Sequence, residues 1–130
     1  MFKKKPTLLI VDDEKDICDF ERSFFQRRNF KTYTAQTAAK AITLAKKFQP
    51  DIAAIDIHMG KENGQEVLKR LLRVSPRSKC LMITWDKEKA LEAKIIGAVD
   101  FLIKPVDLKE LERSINRIMK KIKRQEKPHG

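Results

Sequence analysis

The sequence predicts an α/β fold in which an open parallel sheet of five strands is covered by helices on both faces. Three observations carry this prediction. Five short apolar runs alternate with five segments whose apolar residues recur every three or four positions. The turns joining each run to the next helical segment are short throughout. Runs one, three and four are almost continuously apolar, as in strands buried on both faces. Right-handed crossovers then restrict the topology.

Thr7 to Val11 is the first run, and it stops abruptly at Asp12, Asp13 and Glu14. A helix over residues 14–28 follows, with Ile17, Phe20 and Phe24 as its predicted core stripe. Acids crowd its first turns and Arg27 and Arg28 its last, which suits the macrodipole. Residues 30–35, rich in Thr and Tyr, read as a second strand, and Thr37 can cap a helix carrying Ala38, Ala41, Ile42, Ala45 and Phe48. Pro50 stops that helix. Ile52 to Ile57 is the third strand, broken only by Asp56 near its exit.

Gly60 and Gly64 flank a polar loop, after which Val67, Leu68, Leu71 and Leu72 mark a helix ending before Pro76. Residues 80–84 form the fourth strand. A helix over residues 86–96 is closed by Gly97, and residues 99–103 form the fifth strand, ending at Lys104 and Pro105. The last helix carries Leu108, Leu111, Ile115, Ile118 and Ile122, with Asp107 as its candidate cap.

The 130 residues fit one domain, with a core over about residues 7–117 and a basic helical extension and tail over 118–130. A hydrophobic content of 42% can build that core without disulfide or metal staples. Cys18 and Cys80 fall in different elements and lack metal-type spacing, so two buried thiols in a reducing compartment are expected. The charged start and short apolar run at the N-terminus end in acids, unlike a secretory signal. No run approaches the roughly 20 apolar residues that cross a bilayer, so a cytoplasmic protein without a membrane partner is expected.

The net charge of +11 raises the question of nucleic acid. Residues 113–127 hold seven basic residues and one acid, and the rest of the surface is of mixed sign. The apolar stripe on that helix sends its basic residues to the outer face, which is what any solvated amphipathic helix looks like. Direct nucleic-acid binding is therefore the weaker reading.

Ligands of open α/β sheets bind beyond the carboxyl ends of the strands. Asp12 and Asp13 end strand one, Asp56 strand three, Thr84 strand four and Lys104 strand five, so all should meet at one rim. Individually each has an ordinary structural explanation: an acidic pair caps a helix, a Thr ends a strand, Lys-Pro is a loop dipeptide, and Lys104 would satisfy Asp56. Together, three carboxylates repel unless a cation intervenes. Oxygen ligands without an accompanying His or Cys cluster favour magnesium, which keeps water and phosphate oxygens in its shell. Lys104 adds a point charge and Thr84 a hydroxyl donor. This is the pattern of a phosphoryl-transfer site whose nucleophile belongs to the protein.

The stretches LLIVDDE, AAIDIHMGKENG, LMIT and GAVDFLIKPVDLKEL, in this order, resemble the response-regulator receiver family over residues 7–117. Gly64, eight residues after Asp56, matches the family's loop glycine. The resemblance implies the flavodoxin-like strand order 2-1-3-4-5. It implies that Asp56 is the phosphoacceptor, attacking a phosphohistidine of a sensor histidine kinase or phosphotransfer protein, or a small phosphodonor. Asp13 would bind Mg²⁺ (or Mn²⁺) directly alongside Asp56 and the backbone carbonyl of His58, and Asp12 largely through water. Lys104 would neutralise a phosphoryl oxygen, and Thr84 and Phe101 would switch. Output would pass through helix four, strand five and helix five to a downstream protein target, and a homodimer would form through the same surface. Such a domain is a signalling element, not an enzyme, that at most assists its own phosphorylation and dephosphorylation.

The chain departs from the family pattern at three places. Trp85 follows the switch Thr where a small residue is usual, and with His58 and Asp86 it should modulate the site; slow phosphoryl turnover is expected from its shielding indole. Gly60 stands where Pro is usual and should loosen the loop. Asn63 stands where an Asp is common. A metal-dependent phosphohydrolase with an Asp nucleophile would generally carry an acid two residues after it, where this chain has His58.

Overall fold

The computed structural model describes residues 4–126. The first three residues and the tail 127–130, with the last residue of the basic run, lie outside the described residues. Among the described residues, seven strands and five helices follow in the order β1 (Thr7–Val11), α1 (Lys15–Gln26), β2 (Lys31–Ala35), α2 (Ala38–Phe48), β3 (Ile52–Asp56), β4 (His58–Met59), β5 (Glu62–Asn63), α3 (Gly64–Val74), β6 (Lys79–Thr84), α4 (Lys87–Ile96), β7 (Asp100–Ile103) and α5 (Leu108–Glu126). Five strands form a parallel sheet in the order β2-β1-β3-β6-β7, the 2-1-3-4-5 order of the doubly wound fold. The remaining two make a small antiparallel hairpin, β4-β5, which takes the place of the expected loop between Gly60 and Gly64.

Successive strand residues point to opposite faces, so each strand feeds two cores. Leu8, Ile10, Ile52 and Leu81 pack with Cys18 and Phe25 of α1 and Leu111, Ile115 and Ile118 of α5. Leu9, Val11, Ile55, Cys80 and Met82 pack with α2, α3 and α4 through Ala41, Ala45, Val67, Leu68, Leu71 and Ala93. Each fully buried Leu or Ile contributes about 1.5–3 kcal/mol, and burial on both faces explains why the strands read as continuous apolar runs. The cysteines are free, buried and in opposite cores. Burial pushes the thiol of Cys18 up to about 11 and that of Cys80 up to about 12, so both are inert at neutral pH.

The predicted caps form. Thr37 accepts from the Lys40 N–H at 3.2 Å, Asp107 from Glu110 at 2.8 Å, and Gly97 closes α4 with a positive φ. Asn63, for which the sequence offered no role, caps α3 by accepting from the Gln65 N–H at 2.8 Å.

Of the predicted stripe on α1, only Phe24 packs against the core. Phe20 is 64% exposed and Ile17 lies at the surface, while Cys18 and Phe25 are buried and Glu21 is half-buried between them. Phe25 meets Phe24 and Phe30 edge to face, and the Arg28 guanidinium covers Phe24 at 3.5 Å from the ring centroid. The core face thus runs through Cys18, Glu21 and Phe25, and an acid in its middle disguises it. Arg27 and Arg28 also fall just past the helix, which has no basic residue in its last turn.

Candidate functional site

Strand register brings the polar rim together. Val11 pairs with Ala35, Asp56 with Ile83 and Thr84 with Ile103, so β1, β3, β6 and β7 end at one edge. Backbone bonds hold the connections beyond that edge: the Asp12 N–H donates to the Ala35 carbonyl at 3.0 Å, and the Lys104 N–H to the Thr84 carbonyl at 2.8 Å. Lys104 is thereby aimed across the edge at Asp56, and its Nζ lies 2.8 Å from Asp56 Oδ2. Asp56 is 5% exposed, and a charge so buried requires a partner. A charge-assisted bond of this kind contributes about 1.5–3 kcal/mol.

Asp56 Oδ1 accepts from the His58 N–H at 2.9 Å, which leaves Oδ2 for Lys104. Asp12 Oδ1 accepts from the Glu14 N–H at 2.9 Å. Burial raises the Asp12 carboxyl to about 6; the charges of Asp56 and Asp13 add to this, and the Glu14 N–H and Lys104 offset part of it. Asp13 is exposed, and its Oδ2 lies against Gly60, 3.2 Å from where a β-carbon would be. Gly60 has φ +60°, which a Pro cannot adopt and which suits Gly. The Asp13 carboxylate thus lies against the turn of the hairpin that follows Asp56.

Among the described residues, no three His, Cys, Asp or Glu side chains gather into a closed metal cage. The rim instead offers oxygen donors, including the Asp12 carboxyl held up by burial and further by its acidic neighbours, a donor set that suits a hard cation keeping much of its water.

Thr84 is fully buried, and its Oγ1 accepts from the Asp86 N–H at 3.0 Å. The Asp86 carboxylate caps α4 by accepting from the Glu88 and Lys89 N–H groups. Phe101 is half-buried against the core on the α2, α3 and α4 side. Trp85 is 66% exposed; its indole stacks on the His58 imidazole, centroids 4.6 Å apart, and lies 5.4 Å from Lys104 Nζ. Pro105 follows Lys104 through a cis peptide bond.

One group at the rim, Glu21, escaped the sequence reading. The His58 ring, expected to modulate the site, has Nε2 3.0 Å from Thr84 Oγ1, a contact the sequence did not predict. Glu21 lines a cavity of ≈ 570 Å³ with Asp12, Ile17, Trp85, Lys104 and Leu108. Burial, then the charges of Asp12 and Asp56, push its carboxyl up to about 7. The signal for Glu21 was its position three residues after Cys18 and four before Phe25, on one helix face.

Comparison with known proteins agrees with this fold. The family model described as the response regulator receiver domain matches residues 8–116. The heme response regulator HssR of Staphylococcus saprophyticus is 32% identical over 120 residues, covering 88% of this chain and 52% of the relative. The regulatory protein AtoC of Escherichia coli is 32% identical over 114 residues, covering 86% of this chain and 25% of the relative. The chain thus spans a quarter to a half of the length of these curated relatives. Among solved structures, the chemotaxis protein CheY4 of Vibrio cholerae superposes with a TM-score of 0.80 at 26% identity, over 87% of this chain and 98% of that one. Fold, strand order and a family match over nearly the whole described chain converge, and the chain belongs to the response regulator receiver domain family.

Proposed function

We propose that this receiver domain is switched by phosphorylation of Asp56, and the contact of Lys104 Nζ with Asp56 Oδ2 at 2.8 Å is the observation that carries the reading. Asp56 attacks the phosphorus of a phosphohistidine on a sensor kinase or phosphotransfer protein, or of a small phosphodonor. The phosphorus–donor bond breaks as the aspartyl phosphate forms. Lys104 exchanges its carboxylate contact for a phosphoryl oxygen. Asp13, Asp56 and the backbone carbonyl of His58 would hold Mg²⁺ (or Mn²⁺), with Asp12 reaching it through water; when bound, the cation supplies charge compensation for the phosphoryl oxygens. Positioning and charge compensation account for most of the acceleration in such a transfer.

The aspartyl phosphate adds roughly −1.5 to −2 charges. Thr84 is the nearby donor that responds, and Phe101 the half-buried ring that moves with it. Output passes to a downstream protein through α4, β7 and α5, whose surface exposes Leu91, Ile95 and Ile103; self-association would use the same surface. Residues 1–130 act as one receiver unit working in the cytoplasm, residues 118–130 being its basic extension. Among the described residues, no helix is long and apolar enough to cross a membrane.

Intact-mass measurement after incubation with Mg²⁺ and acetyl phosphate tests the chemistry. One phosphoryl increment, absent from Asp56→Asn, is expected; an increment that persists in the variant refutes the assignment.

One observation favours a second reading, in which α5 docks an acidic partner or nucleic acid. Arg113, Arg117, Lys120, Lys121, Lys123 and Arg124 all lie exposed on its outer face. DNA affinity falling steeply with salt would support that reading, and no binding at low salt would remove it.

A further inference from the structure

The Thr84 hydroxyl is already engaged on two sides. The Asp86 N–H donates to Oγ1, and His58 Nε2 lies 3.0 Å from the same oxygen. A hydroxyl has one proton and two lone pairs. Asp86 takes one lone pair, and the proton of a fully buried hydroxyl needs an acceptor. Among the described residues, the only other polar atom bonded to Thr84 Oγ1 is His58 Nε2. The arrangement that satisfies the buried hydroxyl proton therefore has Thr84 donating to Nε2, with the ring proton on Nδ1.

His58 is itself braced. Its backbone N–H is tied to Asp56 Oδ1 at 2.9 Å, and its ring lies on the Trp85 indole with the planes 26° apart. These contacts join the acceptor carboxylate, the hydroxyl donor and the unusual indole through one residue, the first by its backbone and the other two by its ring.

We propose that His58 is a latch on the switch hydroxyl: its Nε2 holds the Thr84 proton until a phosphoryl group on Asp56 takes it, and Trp85 braces the imidazole in the latched position. The inference rests on Asp56 being the phosphoacceptor. Hydrogen bonds to a charged acceptor are about twice as strong as neutral ones, so the exchange runs toward the phosphoryl oxygen once it is present. Without it, the latch keeps Thr84 from adopting the switched position. His58 is thus a positioning residue, which acts on the phosphosite through Thr84.

The test uses the full chain at pH 8 with beryllofluoride and Mg²⁺ as the phosphoryl probe, followed by the ¹⁹F signal of bound fluoride and by emission from Trp85, the chain's one Trp. His58→Phe keeps a ring against the indole and removes the acceptor, while His58→Gln restores an acceptor. Losing one neutral hydrogen bond from the unswitched state should tighten beryllofluoride binding about fivefold in His58→Phe, and His58→Gln should return toward wild type. Equal or weaker binding by His58→Phe overturns the latch and leaves the phosphosite standing. No response that Asp56→Asn abolishes would instead overturn the phosphoacceptor reading, and the latch with it. Imidazole ¹⁵N NMR of the wild type needs no variant. It should show the proton on Nδ1 in the free protein and loss of the Nε2 bond with beryllofluoride; a ring protonated on Nε2 in the free protein refutes the latch.

Discussion

Gly64 lies so close to Ile57 that a β-carbon on it would stand 2.5 Å from the Ile57 Cα and 2.6 Å from the Asp56 carbonyl oxygen. Both obstacles are backbone, so no rotamer change relieves them. The start of α3 is thereby pressed against the strand that carries Asp56, and the Gly64 N–H bonds the Ile57 carbonyl at 3.0 Å.

Gly64→Ala should destabilise the fold by about 1–3 kcal/mol, the range for overpacking, and should also slow phosphorylation because the backbone at Asp56 must shift. Urea denaturation and acetyl-phosphate labelling measure the two effects. A variant as stable as wild type would show that the two backbones separate easily.

Glu21 gives the pH dependence. Burial, with the charges of Asp12 and Asp56 beside it, holds its carboxyl at about 7 against an ordinary value of 4.5, so the folded state favours the protonated form. The corresponding stabilisation is complete below 4.5 and is lost as pH rises through about 7. Glu21→Gln should leave metal-free stability at pH 5 nearly unchanged and raise it at pH 8 by roughly 2 kcal/mol. Parallel pH profiles for the two proteins would contradict this account.

Magnesium should stabilise the fold. A cation held by the proposed ligands would bind only the folded state, so Mg²⁺ at about ten times its dissociation constant should add about 1.4 kcal/mol. Asp13→Asn should lose most of that gain. Melting temperatures with Mg²⁺ and with EDTA measure it, and an equal gain in the variant would place the cation elsewhere.

If Asp56 is the phosphoacceptor, Trp85 should lengthen the lifetime of its phosphoryl group. Its indole stacks on His58 and lies near Lys104, beside the Asp56 carboxylate that Lys104 contacts. Trp85→Ala should hydrolyse its phosphoryl group several-fold faster than wild type, read as inorganic phosphate released after removal of the phosphodonor. A faster wild type would reverse the role assigned to the indole.

By itself the sequence determined the five sheet strands, the five helices, the rim at which Asp12, Asp56, Thr84 and Lys104 end their strands, and the helix caps at Thr37 and Asp107. These are local properties: apolar period, capping chemistry and the side of a strand from which a residue emerges all act within a few residues. Tertiary structure decided what the pattern could not express. The α1 face turned to Cys18, Glu21 and Phe25 because Phe25 fills the space beside Phe24 and Phe30, whereas hydropathy alone favoured Ile17 and Phe20. The β4-β5 hairpin is too short for a periodic signal. The bond from His58 to Thr84 joins residues 26 apart, and it exists only because β3 and β6 pair in a register that sets Asp56 beside Ile83. Contacts between strand ends depend on register and side-chain direction across the sheet, which no local sequence pattern encodes.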